Sequence, residues 1–493
     1  MAQAYFNQGL HEKPARFEHF FRENPNYGDH RAGYCVNAGL NTFLDWLKGA
    51  EPTTDDINYL RDLSGSSGSR LFGTEFLDWL SNRDPFSELT VRAVPEGRIV
   101  HPNEPVTVVE GPLALAQLVE TPLLNHINYQ ILIATRAARI AAAGEGKLLL
   151  EFGMRRAHEK GGNSGARAAM IGGADFSSNT AASRMLGYPP KGTHAHSFVQ
   201  AYLALGKSEL EAFQAFARAY PDDCILLVDT VDTLHSGVPN AIEVFKELRA
   251  EGHEPVGIRL DSGDLAHLAV RSAKLLNEAG FPEVSIVLSN QLDELVLRQI
   301  LEQIRSEAPD YGLELEALIE RLVYGVGTRL ITSAGDSSLG GVYKLVAIKK
   351  GRDWKPVLKL SETPEKVPIP GRKNLYRLYD YRGRATADLL TAPEEEVHEQ
   401  RSLFLQHPYR EQSWRELSPE DIGEVEPLLA TYLCEGKLLR EGETMEKFRE
   451  RCQNDLQRLA PGVKRVLNPH YYHVSLSSKI WELKQDLVQG YGN

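Results

Sequence analysis

Cysteine is scarce in this chain: Cys35, Cys224, Cys434 and Cys452 stand far apart among 493 residues. They form no Cys-x-x-Cys pair and no dense framework, which excludes a disulfide scaffold and predicts reduced thiols in a cytosolic protein. Positive charge is short as well. The 55 Lys and Arg face 67 Asp and Glu, a formal net charge of −12, and that balance argues against general nucleic-acid binding and against attraction to anionic membranes. No window approaches the roughly 18 uninterrupted apolar residues of a membrane span. The opening MAQAYFNQGLHEKPARF has no basic stretch followed by an apolar run, so no signal peptide is expected. Gly325-Val326-Gly327-Thr328 lacks the Gly-Lys-[Ser/Thr] of a Walker A loop and is not a full Rossmann fingerprint. No internal repeat of 20–50 residues is present. Together these absences predict a soluble, cytoplasmic protein with neither nucleic acid nor membrane as partner.

Apolar residues make up 42% and charged residues 25%, ordinary for a soluble enzyme with a substantial core. The length suggests two to four domains at roughly 150 residues each. Residues 1–125 intersperse helical patterns (Leu40 to Leu47) with strand-like runs (Leu89 to Val94, Val106 to Val109), as in an α+β layer. Thr121 to Ala143 reads as a long helix opened by Pro122, where a missing N–H costs little. From Lys147 the rhythm changes. Apolar runs at Leu148–Glu151, Ile225–Asp229, Val256–Asp261, Ser285–Asn290 and Val323–Thr328 alternate with amphipathic segments such as Pro239–Gly252 and Leu265–Gly280. Such runs are strands of a parallel sheet buried on both faces. Each ends in a residue able to bind or catalyse: Glu151, Asp229, Asp261, Asn290 and Thr328. A β/α barrel gathers its chemistry at the C-terminal strand ends, and a doubly wound sheet does so at a switch point. Five functional strand ends favour the barrel. The expected organisation is an N-terminal α+β domain (1–125), an α/β barrel (126–348) and a C-terminal accessory region (349–493) that wraps the barrel, with Pro419 to Glu482 mostly helical.

The chemistry concentrates between Leu150 and Phe198, where two arginines follow a strand, then a small-residue loop carries Asp175, Ser177 and Ser178, then comes Thr193-His194-Ala195-His196-Ser197. A polyanion site with a positioned imidazole accounts for that density. Arg259-Leu260-Asp261-Ser262-Gly263-Asp264 offers a planar fork for a carboxylate or phosphate and acids for a ribose or metal; the plainer alternative is a turn in which Asp261 or Ser262 caps the next helix. Asp229 could orient an imidazole, contact a ribose hydroxyl or cap a helix. Glycines at Gly325 and Gly327, and again at Gly340 and Gly341, let the backbone approach a phosphate. His194-x-His196 is open to three readings: half of a metal site, a nucleophile toward phosphorus with Asp229 on the opposite ring nitrogen, or a loop with structural histidines.

In this order, EFGMRRAHEK, GGADFSSNT, KGTHAHSFV, LLVDTVDTLHSGVPNAI, GIRLDSGDL, VLSNQLDE and GVGTRL with SLGGVYKLVAI resemble the nicotinate phosphoribosyltransferases over residues 105–348, and RFEHFFRENP and VSLSSKIWELK extend the likeness toward both ends. The resemblance implies a type II phosphoribosyltransferase fold, an irregular α/β barrel with an N-terminal domain, acting as a homodimer with active sites at the interface. It implies transfer from phosphoribosyl pyrophosphate to nicotinate, with Mg²⁺ and with ATP as cosubstrate through a phosphohistidine, the first step of NAD salvage from nicotinate. The phosphorylated histidine falls on His196, with Asp229, Arg259 and Asp261 beside it as catalytic residues. The arginine contact to substrate carboxylate and phosphate groups falls on Arg155 and on Arg259, and the Arg155-Arg156 pair favours the acid over the amide. Phe152 falls on a ring against the pyridine, and Asp175 on the position by which amide-using relatives recognise nicotinamide. Ser177, Thr193, Ser262, Gly263, Gly325, Gly327 and Thr328 complete the substrate-binding set; no metal ligand is assigned.

One departure stands out. The family usually carries an Asp-Leu-Tyr-Gln-type segment near its start whose tyrosine stacks on the base in the neighbouring subunit's site. This sequence opens at Met1-Ala2-Gln3-Ala4-Tyr5, just past that place: either the start lies further upstream, or the chain lacks the stacking ring with weakened affinity, since Tyr5 is not its positional equivalent. Rivals are a nicotinamide- or quinolinate-using relative, a metal-dependent barrel hydrolase, and a catalytically silent homologue, against which His196, Asp229, Arg259 and Asp261 speak.

Overall fold

The computed structural model describes residues 1–28, 30–400, 402–440 and 442–491. They form two compact units, one of residues 136–337 and one of residues 1–135 with 338–493.

The 136–337 unit is built on six short strands, β1 (Leu149–Glu151), β2 (Phe176–Ser177), β3 (Ile225–Leu227), β4 (Gly257–Leu260), β5 (Ser285–Ser289) and β6 (Leu322–Val326). Their hydrogen-bonded order is β2-β1-β6-β5-β4-β3, and every neighbouring pair is parallel. Because β6 returns to β1, consecutive strands are neighbours all the way round, except between β2 and β3. That is a sheet curled into a half-open barrel, not the reversed order of a doubly wound sheet.

Side-chain alternation sorts each strand. Ile258, Leu260, Ile286 and Leu288 are buried on one face. Leu150, Val287 and Val323 pack with Phe152, Phe176 and Ile225 into a separate cluster, drawn from strands all round the ring, and fill the lumen as in a packed barrel. Each such buried side chain contributes roughly 1.5–3 kcal/mol. The same parity points Arg259, Ser289 and Gly325 inward above that plug. Helices Val238–Ala250, Leu265–Glu278 and Glu294–Glu307 bury one stripe each, the amphipathic pattern expected of barrel helices.

At the opening between β2 and β3, a loop substitutes for the missing strand pairing. The Lys191 N–H donates to Ser177 O at 3.1 Å, and the Leu227 N–H donates to His194 Nε2 at 3.0 Å. Residues 191–194 therefore clasp both exposed strand edges.

The other unit carries a seven-stranded antiparallel sheet in the order Asp353–Pro356, Gly341–Lys350, Pro14–Phe21, Thr107–Pro112, Thr90–Ala93, Ala430–Cys434, Lys437–Leu438. A second, six-stranded sheet runs Trp414–Leu417, Leu403–Gln406, His473–Leu476, Ala385–Thr391, Asn374–Tyr379, Glu424–Pro427. Tyr5 packs in a cluster with Ala2, Ile57, Phe76, Leu77 and Leu80. The compact units divide elsewhere than the expected boundaries. The break falls inside the helix Glu120–Ala143, and Gly341–Lys350 pairs with Pro14–Phe21, not with the barrel. Within Pro419–Glu482 the expected helical texture is confined to Met445–Arg458 and the helix from Ser478; the remainder holds strands Glu424–Pro427, Ala430–Cys434 and His473–Leu476. Their half-exposed alternation hides the apolar period in a charged background. All four cysteines are free thiols, and among the described residues no helix is long and apolar enough to cross a membrane.

Candidate active site

A cavity of about 380 Å³ opens at the C-terminal ends of the strands, floored by Phe152, Leu227, Arg259, Asp261 and Ser289. Three arginines, Arg155, Arg156 and Arg259, line it. Arg155 and Arg156 sit on a single 3₁₀ turn after β1, so one short turn delivers two positive charges.

Arg259 is the hub. Its Nε donates to Ser289 Oγ at 2.9 Å, Nη1 to Thr193 Oγ1 at 2.9 Å and Nη2 to Asp261 Oδ1 at 3.0 Å. Its guanidinium carbon also lies 5.3 Å from the Phe152 ring centre, within cation–π range. Phe152 can lie there because Gly325 has no side chain: a Cβ would come within 2.7 Å of the ring.

Asp261 alternates with Arg259 along β4 and reaches the same rim. Its Oδ1 is engaged by Arg259 and by Ser289 Oγ at 2.6 Å, while Oδ2 lies 3.9 Å from His196 Nε2. Asp229 sits behind it, its side chain 1% exposed. Its Oδ2 accepts from the Asp261 N–H at 2.9 Å and from Ser262 Oγ at 2.6 Å. Asp229 Oδ1 is buried with no hydrogen bond, 3.8 Å from His196 Nε2. The expected Asp229–imidazole bond is thus not made. The hydrogen bond to the ring comes instead from Thr230, whose Oγ1 lies 3.1 Å from Nδ1, and Nε2 faces both carboxylates.

The two histidines of the pair separate cleanly. His196 opens the helix His196–Ala204 and lines the cavity. His194 is buried among Phe198, Phe213 and Phe216. Burial lowers its pKa to about 4, so it is neutral, and its Nε2 lone pair is taken by the Leu227 N–H. The pair therefore does not present two free ligands to one metal. Below the rim, burial raises the pKa of Glu151; its carboxylate accepts from Ser177 Oγ at 2.6 Å and from the Gly153 N–H, which fixes the turn leading to Arg155.

Ten of the expected site residues converge on the cavity: Phe152, Arg155, Arg156, Thr193, His196, Arg259, Asp261, Gly325, Gly327 and Thr328. Five do not line it. Asp229 lies behind with the exposed Ser262 bonded to it, Gly263 shapes the turn with φ +78°, and Ser177 is buried against Glu151. Asp175 is a correction: its carboxylate accepts the Leu149 N–H at 2.9 Å, at the start of β1, the opposite end of the strand from the cavity. The helix cap after β4 is Asp264, not Asp261 or Ser262. Gly341 opens a strand of the other unit. Ser289 and Gln291 also line the cavity, beside Ser178 of the small-residue loop and Asn290 at its strand end. Ser289 was signalled by its place at a strand end, two residues beyond lumen-facing Val287.

A half-open parallel barrel with this rim is the fold of the type II phosphoribosyltransferases. The crystal structure of human nicotinic acid phosphoribosyltransferase superimposes with a TM-score of 0.80 at 30% identity, covering 99% of this chain and 98% of that one. Nicotinate-nucleotide pyrophosphorylase from Pyrococcus furiosus shares the fold, with a TM-score of 0.65 at 21% identity over 92% of both chains. Family models for the N-terminal domain, the family proper and the C-terminal domain of nicotinate phosphoribosyltransferase match residues 1–128, 148–374 and 372–484. Nicotinate phosphoribosyltransferase of Bacillus subtilis (strain 168) is 38% identical over 99% of this chain and 93% of its own length; the Homo sapiens enzyme is 33% identical over 99% and 95%. The chain belongs to the nicotinate phosphoribosyltransferase family.

Proposed function

We propose that this chain makes nicotinate mononucleotide and pyrophosphate from nicotinate and phosphoribosyl pyrophosphate, the entry step of NAD salvage from nicotinate. The carrying observation is the convergence of Arg155, Arg156 and Arg259 with Asp261 on one cavity of about 380 Å³, a size suited to a small ligand. Both substrates are anions, and planar guanidinium forks match carboxylate and phosphate. The Phe152 face offers a stacking surface for the pyridine, with the Arg259 guanidinium 5.3 Å from the ring centre. The pyridine nitrogen supplies the electron pair to ribose C1 as the bond to pyrophosphate breaks through a cation-like transition state. Alignment by such a site contributes up to about 7–11 kcal/mol. Acid is favoured over amide because Asp175 is committed to the Leu149 N–H while cations line the cavity.

Asp229 Oδ1, buried without a hydrogen bond, and Asp261 Oδ2 are hard oxygen donors that fit Mg²⁺, an ion that completes its shell with water and phosphate oxygens. Asp229 and Asp261 would hold it; when bound it stabilises charge on the departing pyrophosphate. His196, 37% exposed with Nε2 facing both acids, accepts a phosphoryl group from ATP, and hydrolysis of that phosphohistidine drives the cycle. The enzyme works as a homodimer in the cytoplasm, where its four free thiols stay reduced.

The test is to incubate the protein with nicotinate, phosphoribosyl pyrophosphate and Mg²⁺, with and without ATP, and to quantify nicotinate mononucleotide and ADP together. ATP-stimulated product with ADP alongside is expected; no product refutes the reading. In His196→Ala, ATP hydrolysis is lost and slow ATP-independent transfer remains. ATP hydrolysis still in step with product in that variant would remove His196 from the scheme.

A further inference from the structure

We infer that Ser289 is a positioning residue, which sets how Arg259 and Asp261 are presented to the sugar phosphate. This rests on the reading of those two side chains as substrate-binding groups.

Ser289 is 3% exposed and ends β5 directly opposite the rim of β4. A serine hydroxyl has one hydrogen and two lone pairs, and here the hydrogen and one lone pair are engaged. It accepts from Arg259 Nε at 2.9 Å and donates to Asp261 Oδ1 at 2.6 Å, with Leu260 O a longer alternative at 3.2 Å. Since Arg259 Nη2 also donates to Asp261 Oδ1 at 3.0 Å, the three side chains close a ring. The ring consumes the Nε side of the guanidinium and one carboxylate oxygen. With Arg259 Nη1 also donating to Thr193 Oγ1, what remains for a ligand is the second N–H on each Nη and Asp261 Oδ2. Without the hydroxyl, the guanidinium could swing its Nε edge onto the carboxylate as a two-point pair, withdrawing both groups from the cavity.

The chain pays a conformational cost to put Ser289 there. The next two residues, Asn290 and Gln291, have φ of +110° and +51° and line the cavity. Non-glycine residues in such regions cost about 1–3 kcal/mol each and persist only where the surroundings over-determine them. On the far side of the turn, Asp293 is that anchor. Its Oδ1 accepts from the N–H groups of Leu295 and Val296, and its Oδ2 pairs with Arg329 at 3.0 Å and Arg136 at 3.5 Å. On the near side the only side-chain anchor among the described residues is the Ser289 ring. Ser289 thus joins a strained, cavity-lining turn to the two groups proposed to grip substrate.

The experiment compares Ser289→Ala with the isosteric pair Ser289→Thr and Ser289→Val, which differ in the hydroxyl alone. Steady-state kinetics with nicotinate and phosphoribosyl pyrophosphate, thermal melting, and calorimetric titration with phosphoribosyl pyrophosphate plus Mg²⁺ are read on each. Loss of a buried hydrogen bond to charged groups predicts a KM for phosphoribosyl pyrophosphate raised about tenfold in Ala and Val. Their kcat stays within about twofold and Thr stays near wild type. Equal KM in Val and Thr overturns the inference, as does a fall in kcat and melting temperature that Thr fails to restore. If the wild type makes no product, the functional reading falls first. Calorimetry then decides separately: weaker binding in Val than in Thr supports the role of Ser289, and no difference overturns it.

Discussion

Acidification loosens the clasp between β2 and β3. His194 Nε2 accepts the Leu227 N–H, and a protonated ring has no lone pair to offer. Burial holds its pKa at about 4 against an ordinary 6.5. Above pH 6.5 the ring is neutral whether the 191–194 segment is closed or opened, and the clasp contributes in full. Between 6.5 and 4 the opened segment takes up a proton that the closed one refuses, so stability falls as pH falls. The gap between the two values converts to about 3 kcal/mol, or about 300-fold in the opening equilibrium. Amide hydrogen exchange of a peptide spanning residues 224–230, followed by mass spectrometry and corrected for the intrinsic rate, reads that equilibrium. The control is His194→Gln, which keeps an acceptor and does not titrate. Wild type is expected to lose protection progressively from pH 6.5 to 4 while the variant stays flat. Parallel curves would refute the assignment of the clasp to His194.

Gly325→Ala forces the Phe152 ring aside, because the new Cβ would lie 2.7 Å from it; about 1–3 kcal/mol of overpacking should appear as a KM for nicotinate raised about tenfold, checked by steady-state kinetics. Glu294→Gln neutralises a fully buried carboxylate 2.9 Å from Arg136 Nε and 3.0 Å from Arg139 Nε, and about 3 kcal/mol of stability should be lost, measured by urea denaturation. Gln291→Gly relieves a φ of +51° and should raise thermal stability slightly, whereas Gln291→Ala, which keeps the Cβ, should leave it unchanged; differential scanning calorimetry separates them.

Much of the barrel is legible in the sequence because a strand buried on both faces has no polar position to hide it. Leu148 to Glu151 and Ile225 to Asp229 announce themselves in this way. Phe176–Ser177 does not: two residues carry no period, and the small-residue loop around them reads as ligand-binding. That same loop misleads at Asp175, where strand direction decides which end of the barrel a residue reaches. Arg259 and Asp261 could be paired from sequence, since alternate residues of a strand share a face. Their hydrogen-bond partners could not, because Ser289 arrives from another strand. The turn at Asn290 and Gln291 is only half legible: asparagine tolerates a positive φ, but nothing in a glutamine side chain predicts one. In the C-terminal region, strands such as Glu424–Pro427 bury little of either face, so charge masks their alternation.

The opening between β2 and β3 has a further meaning for how the protein behaves in crowded solution. A ring of six parallel strands that fails to close leaves two edges, and unpaired edges are templates on which other chains polymerise. Here the Ser177 carbonyl and the Leu227 amide are occupied by residues 191 and 194 of the same chain. The loop that brings His196 to the cavity is therefore also the guard against intermolecular sheet growth. Substitutions that loosen it should appear as aggregation at acid pH before they appear as lost secondary structure.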